Sequence, residues 1–378
     1  MNSAERSARS VSITIDLAAI RHNLSIARQL SGGGKLFAVI KADAYGHGAI
    51  EVMRGLSRPD VAPANRADGF AVVTVGEAVA LREAGSKLPI LVLQGPQQAG
   101  ECAELLSYDL WPVIHDQAQL SWYRQCSERD DLAAWLKVDT GMGRLGVTPA
   151  QAAELLQPAS GIQWRGVLSH LACADEPGND HTDAQIAAFD ALPLPVGVWR
   201  SLANSAAILA WPATKNDWAR PGLMLYGVNP LNREAPDTFD LKQAMRVKAP
   251  LVSVKTLLAG SGVGYAQTWT CPETMSVGLL GIGYGDGLPR VLDSSARVIV
   301  HNVACPVIGR VSMDSIAVDL RAVPAAAVGD MAQLWGPEQS VDALAAAAGT
   351  ISYELLTGIR GSRMWQDYNF GSGTELQG

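Results

Sequence analysis

Polar side chains close several of the chain's apolar runs. Lys41 ends "LFAVIK", Asp139 ends "AAWLKVD", His170 ends "WRGVLSH", Asn204 ends "VGVWRSLAN" with Ser205 directly after it, and Arg220 follows "WA". A lysine in an apolar surround loses solvation of its charged form, so its pKa falls from about 10.4 and its neutral amine becomes a nucleophile. Such an amine condenses with an aldehyde, and pyridoxal 5'-phosphate is the commonest aldehyde cofactor. A phosphate needs donors, for which Ser205, Tyr45 and the backbone amides around Gly222 are candidates. Taken singly, a strand-end lysine is a solvated cap and a lone histidine is a satisfied interior residue; the set taken together points to a convergent site.

Short apolar runs and helix-forming segments must position these residues. Eight runs recur between residues 36 and 226, from "LFAVIK" to "WARPGLMLYG", most of them separated by segments such as "GEAVALREAG" and "HTDAQIAAFDAL" that are rich in Ala, Leu, Glu and Gln. Apolar strands with helical crossovers imply a parallel sheet covered on both faces, and eight repeats suit a closed (β/α)8 barrel of the TIM type, whose active sites sit at the strands' C-terminal ends. An open doubly wound sheet is the competing architecture. The stretch 229–243 reads as a linker; beyond it, Val-rich runs punctuated by Gly, Pro and Asn imply a mostly β second domain, with one amphipathic helical run over 341–359. The expected domains are 1–236, with residues 1–10 loose, and 237–378.

The remaining patterns exclude more than they assign. A net charge of -7 in 378 residues leaves no electrostatic footprint for nucleic acid or an anionic membrane, and favours a small-molecule partner. No stretch approaches the roughly 18 apolar residues of a membrane span, and the first ten residues lead into no apolar signal segment. Five scattered cysteines without a C-x-x-C pair suggest neither a disulfide framework nor a zinc site, so a reducing, cytoplasmic setting and no metal are expected. "SGGGKLF" lacks the phosphate-loop spacing, and "GIGYGDGLPR" places glycines before a proline where no helix starts; both read as turns.

At the level of whole motifs the chain resembles the alanine racemases, pyridoxal phosphate enzymes with an eight-stranded barrel followed by a β domain. The motifs are "AVIKADAYGHG", "KVDTGMGRLG", "ANSAA", "ARPGLMLYG", "GYAQTW", "GIGYGDG" and "GRVSMD", in the family's order and spacing. The resemblance implies that Lys41 holds the cofactor as an imine and acts as one acid/base, with Tyr265 of the partner subunit as the other in a homodimer. It further implies that Arg220 faces the pyridine nitrogen, that His170 lies between Tyr265 and Arg220, and that Arg144 meets the cofactor's phenolic oxygen and the substrate carboxylate. Tyr45, Asn204, Ser205, Gly222 and Leu223 would bind the cofactor, the first and the last three through its phosphate. Tyr284 and Met313 would line substrate entry from the partner, Asp314 would support them, and Lys137 matches a lysine that some members carbamylate.

Ser201 stands where some members carry histidine, Ser312 where some carry cysteine, and Gly361 where some place a tyrosine against the catalytic one. These departures bear on pocket size, leaving alanine, or serine and larger amino acids, as substrates. A decarboxylase of the same architecture would bring a cysteine-bearing loop and a glycine-rich phosphate motif, neither of which is present. A non-catalytic cofactor carrier would need Lys41 but not the second domain.

Overall fold

The structure is a computed structural model that describes residues 11–126, 132–157, 162–231, 239–359 and 365–369. The expected boundary at 236/237, the loose N-terminus, much of the linker and Gly361 lie outside those residues. Contacts divide the chain into two units: one holds residues 20–44 and 48–241, the other residues 1–19, 45–47 and 242–378.

A first strand, β1 (Ser12–Asp16), and helix α1 (Leu17–Leu30) precede the barrel strands β2 (Lys35–Val39), β3 (Gly69–Val72), β4 (Ile90–Val92), β5 (Trp111–Ile114), β6 (Ala133–Lys137), β7 (Gln163–Leu168), β8 (Trp199–Ser201) and β9 (Trp218–Ala219). Neighbours are parallel in the order β8-β7-β6-β5-β4-β3-β2-β9. The ring closes where the Arg220 N–H donates to the Ala203 carbonyl at 2.9 Å, beside a parallel bridge between Asn204 and Arg220. This is the expected barrel, and the open sheet is excluded. Its strands carry apolar residues on both faces, Leu36, Phe37 and Ala38 all being fully buried, because side chains fill the interior and helices cover the exterior.

Those connections include α2 (Lys41–Gly46), α3 (Ala49–Ser57), α4 (Val75–Glu83), α5 (Glu101–Ser107), α6 (Gln117–Gln125), α7 (Pro149–Leu155), α8 (Asp180–Asp190) and α9 (Ser205–Ala210). Capping boxes Thr74/Glu77 and Thr148/Gln151 start α4 and α7, each satisfying two otherwise orphaned amides.

In the second unit β10 (Met245–Leu257), β13 (Met275–Leu280), β14 (Arg297–Val300), β15 (Val303–Ile308), β16 (Ile316–Asp319) and β17 (Met331–Trp335) close on themselves through β10–β13 pairing. A hairpin of β11 (Gly262–Val263) and β12 (Trp269–Thr270) stands apart from that ring, while β1 pairs with β10 and with β18 (Trp365–Asn369). The helical run expected over 341–359 is two helices, α10 (Val341–Ala347) and α11 (Ser352–Gly358). Gly349 at φ +64 ends the first, and the Thr350 N–H closes it on the Ala345 carbonyl at 2.9 Å. Apolar periodicity continued through a glycine that the backbone uses as a left-handed stop.

Candidate active site

The barrel's C-terminal rim brings together Lys41, Lys137, Arg144, His170 and Arg220, the two lysines and two arginines all acting electrostatically on His170 and on others of the set. Lys41 follows buried Ile40 at the end of β2; burial first, then Arg144, hold its amine below the usual value, with Glu77 opposing them. Lys137 ends β6 and is 7% exposed. Burial, followed by Arg220, Arg144 and Lys41, pushes its amine down to about 8 against the pull of Asp139. The depressed amine inferred from sequence is therefore present twice.

Arg220 lies 5% exposed in a cage of strand-end acceptors. Its guanidinium donates to the Ser201 carbonyl at 2.7 Å, the Ser201 hydroxyl at 2.6 Å and the carbonyls of Ser169 and Leu202 at 2.5 and 3.3 Å. Burial pushes it down to about 10, which leaves it charged at neutral pH. Burial and then Arg220, Lys137, Arg144 and Lys41 hold the His170 imidazole well below its ordinary value, so it is neutral.

Asp139 shares the rim but is used by the backbone. Its Oδ1 accepts from the amides of Gly141, Met142 and Gly143 at 2.9, 2.8 and 3.2 Å, and these bonds outweigh burial and keep it ionised. It shapes the loop that presents Arg144. Gly146 completes that loop: at φ +131, a Cβ there would lie 2.5 Å from the Asp139 nitrogen. Ser205 and Gly222 meet as expected, the Ser205 Oγ accepting from the Gly222 and Met224 amides at 2.8 and 3.4 Å beside buried Leu223. Asn204 Oδ1 accepts from the Ala207 amide at 2.9 Å and so caps α9.

Sequence reasoning missed two residues that tie neighbouring loops. Buried Gln185, on α8, donates to the His170 carbonyl at 3.1 Å and to Thr140 Oγ1 at 3.4 Å, and accepts from the Ala172 amide at 2.8 Å. Nothing in its spacing signals this. Glu77 accepts from the Ala42 amide at 2.8 Å, and its signal was available: it is the last residue of the box "TVGE".

The turn α2 itself is unusual. Ala42, Asp43, Ala44 and Tyr45 have φ of +50, +55, +53 and +54, a left-handed helical run without glycine. Each such residue costs roughly 1–2 kcal/mol, and strain of this kind clusters at functional sites.

Tyr45 and the remaining expected residues belong to the β unit. The Tyr45 ring lies 5.7 Å from that of Tyr353, and burial followed by Tyr353 pushes its hydroxyl up, so it stays protonated. Tyr265, 69% exposed, follows Gly264 at the tip of the β11–β12 hairpin, whose base is rooted in a core of Val263, Cys271, Met275 and Ile308. Tyr284 and Met313 are joined by backbone: the Tyr284 N–H donates to the Ser312 carbonyl at 3.0 Å and the Gly285 N–H to that of Met313 at 2.8 Å. Both side chains are exposed, as is Asp314. "GIGYGDG" is the expected turn, with Gly287 left-handed after Asp286.

A cavity of about 390 Å³ lies at the barrel's other end, against Lys35, Trp111, Trp199 and Trp218 at strand starts and Arg66 in the loop before β3. Lys35 Nζ sits 5.0 and 5.4 Å from the Trp199 and Trp218 rings, and Phe37 stacks on Trp218 at 3.8 Å. This end is an aromatic floor with a cavity beside it. Among the described residues no group of three or more His, Cys, Asp or Glu could hold a metal, and no helix is long and apolar enough to cross a membrane.

Residues 15–230 match the family model "Alanine racemase, N-terminal domain" and residues 244–368 match "Alanine racemase, C-terminal domain". The alanine racemase of Thioalkalivibrio sulfidiphilus is 45% identical over 95% of this chain and 99% of its own. The crystal structure of biosynthetic alanine racemase from Pseudomonas aeruginosa superposes with a TM-score of 0.88 at 39% identity, covering 96% of this chain and 99% of that one. That of alanine racemase from Bartonella henselae with covalently bound pyridoxal phosphate gives 0.86 at 29% identity, covering 95% and 99%. Since sequence and backbone agree from the first strand to the last, the chain belongs to the alanine racemase family.

Proposed function

We propose that the chain interconverts L-alanine and D-alanine as a homodimer with pyridoxal 5'-phosphate, using Lys41 on one face of the substrate and Tyr265 of the partner subunit on the other. The observation that carries this reading is the depressed Lys41 amine set among Lys137, Arg144 and Arg220, a rim built for an anionic aldehyde and a carboxylate. Ser205 and the amides of Gly222, Leu223 and Met224 would hold the phosphate, with Tyr45 as a further donor. The cofactor supplies the electron sink that makes the substrate α-proton acidic.

The protein's part is positioning and proton handling. Lys41, its amine held below the usual value by burial and Arg144, takes or returns the α-proton, and a second group on the opposite face does the reverse, which is what inverts the centre. Arg144 receives the substrate carboxylate on a loop already ordered by Asp139. Arg220, charged and caged by strand-end acceptors, would face the cofactor's pyridine nitrogen and, by its charge, disfavour a proton there. His170 would lie between Arg220 and Tyr265 of the partner subunit and carry the arginine's polarisation to that phenol. Lys137, with its amine near 8, can lose its ammonium proton and then add carbon dioxide as a carbamate with loss of a second proton, two protons leaving in all, which turns a repelled cation into an anion beside Arg144.

The hairpin tip supports the shared site. An ordered tyrosine 69% exposed, with exposed Tyr284 and Met313 on connected loops, is the composition of a surface that meets a partner. Enantiomers have equal free energies, so the protein serves D-alanine supply for peptidoglycan or D-alanine catabolism according to which is withdrawn; a D-alanine requirement on gene deletion marks the first.

Incubation with L-alanine and cofactor in deuterated water tests the reading. D-alanine carrying α-deuterium is expected, with serine run in parallel because an added hydroxyl is weakly discriminated. Holoprotein that exchanges no α-proton overturns it, as does full racemisation by Tyr265→Phe for the two-base assignment.

A further inference from the structure

Glu77 does more than its helix requires. In a capping box the glutamate reaches back to the N-cap amide, and Glu77 Oε2 does this, accepting from Thr74 at 3.1 Å and also from Val73 at 2.8 Å. Its other oxygen, Oε1, is aimed at a different loop and accepts from the amide of Ala42, the residue after Lys41, at 2.8 Å. One carboxylate thus ties the end of β2 to the end of β3.

The bond falls at the entrance of the left-handed run Ala42–Tyr45. Further along, that run is held by the Ala44 amide on the Ile40 carbonyl at 2.9 Å, the Gly48 amide on the Asp43 carbonyl at 2.9 Å and the Ala49 amide on Asp43 Oδ1 at 2.7 Å. All three partners come from the turn and its flanks. Glu77 is an anchor from another strand end, and its carboxylate makes stronger hydrogen bonds than a neutral acceptor. It is also the anion that acts on the Lys41 amine, in the direction opposite to burial and Arg144.

We propose that Glu77 is a positioning residue for Lys41: its carboxylate holds the strained left-handed turn in place through the Ala42 amide, and thereby fixes where the lysine amine stands and how readily it bonds to the cofactor aldehyde. The inference rests on Lys41 being the cofactor lysine.

The test compares Glu77→Gln with Thr74→Ala, using apoprotein reconstituted with pyridoxal phosphate. Thr74→Ala removes the Thr74 hydroxyl that the Glu77 amide uses at 3.2 Å, but leaves the Ala42 bond. Glu77→Gln presents one acceptor oxygen where three amides now converge on two. Both variants are expected to lower the apoprotein's melting temperature. Glu77→Gln alone is expected to slow cofactor uptake, followed by absorbance, about tenfold, to shift the pH midpoint of the bound chromophore downward, and to lower kcat with little change in KM for alanine. Ala42→Gly, which adopts φ +50 without strain, is expected to recover part of the uptake rate in the Glu77→Gln background.

If Glu77→Gln and Thr74→Ala lose melting temperature alike while uptake rate and chromophore midpoint stay at wild-type values, Glu77 is a helix cap and nothing more. Should Glu77→Gln fail to fold, Ala42→Gly in the otherwise wild-type protein decides: raised stability with unchanged uptake supports the anchored turn, and lowered stability overturns it. Wild-type apoprotein that takes up no cofactor refutes the underlying assignment of Lys41 instead.

Discussion

The same eight strands end in two unlike surfaces. At their starts, Phe37, Trp111, Trp135, Trp199 and Trp218 pack edge and face, with Lys35 and Arg165 laid over indole rings. At their ends, two lysines and two arginines act electrostatically on one another and on a neutral histidine, and the chain leaves β2 through a left-handed turn. The floor gains free energy from burial and ring contacts, whereas the rim loses it to charge repulsion, desolvation and backbone strain. One framework carries both because the strands transmit rigidity from the end where it is gained to the end where it is consumed.

Four substitutions break or sharpen that contrast. Lys41→Ala has the largest effect: activity falls at least ~10⁴-fold and covalent cofactor attachment is lost, while the melting temperature holds or rises because a cation leaves a repelling cluster. Activity assays and calorimetry on one preparation check both halves. Trp218→Ala, 2% exposed in the floor, does the opposite. It costs about 3–5 kcal/mol by denaturant unfolding and leaves kcat/KM of the folded fraction within about twofold.

Lys137 brings pH into the contrast. Its amine sits near 8 in the fold against 10.5 in the open chain, so the unfolded state holds more protons between those values. Apoprotein stability therefore rises with pH across that window, by on the order of 3 kcal/mol at about 1.4 kcal/mol per unit. Urea unfolding at pH 7.5, 9 and 10 is expected to show the rise in wild type; Lys137→Met is expected to be more stable at pH 7.5 and to lose the added slope. The smallest effect belongs to Arg165, whose guanidinium lies 4.8 Å from the Trp111 ring. Arg165→Ala is expected to cost about 0.5–1 kcal/mol and to leave catalysis unchanged.

The barrel was legible because its signal is local: each strand is a short buried run and each crossover has helical composition, so alternation reports the architecture. The rim was legible for the same reason, since Lys41, His170 and Arg220 sit where apolar runs stop. What was hidden depends on side chains reaching across loops. Gln185 carries no mark of its two-loop grip, Asp139 reads as an ionisable candidate yet spends its carboxylate on three amides, and no propensity announces four left-handed residues after a lysine. The helix break at Gly349 was missed because alanine periodicity on both sides outweighed one glycine.

The placement of β1 has a consequence for how the chain reaches this structure. Ser12 stands opposite Lys248 and beside Trp365, partners that leave the ribosome long after it does. While residues 20–44 and 48–241 are made and can close their own ring, β1 waits with both edges unsatisfied, in a contact of very high order. The β unit is therefore finished by its oldest segment, and the barrel is free to be the first part of the chain to fold during synthesis.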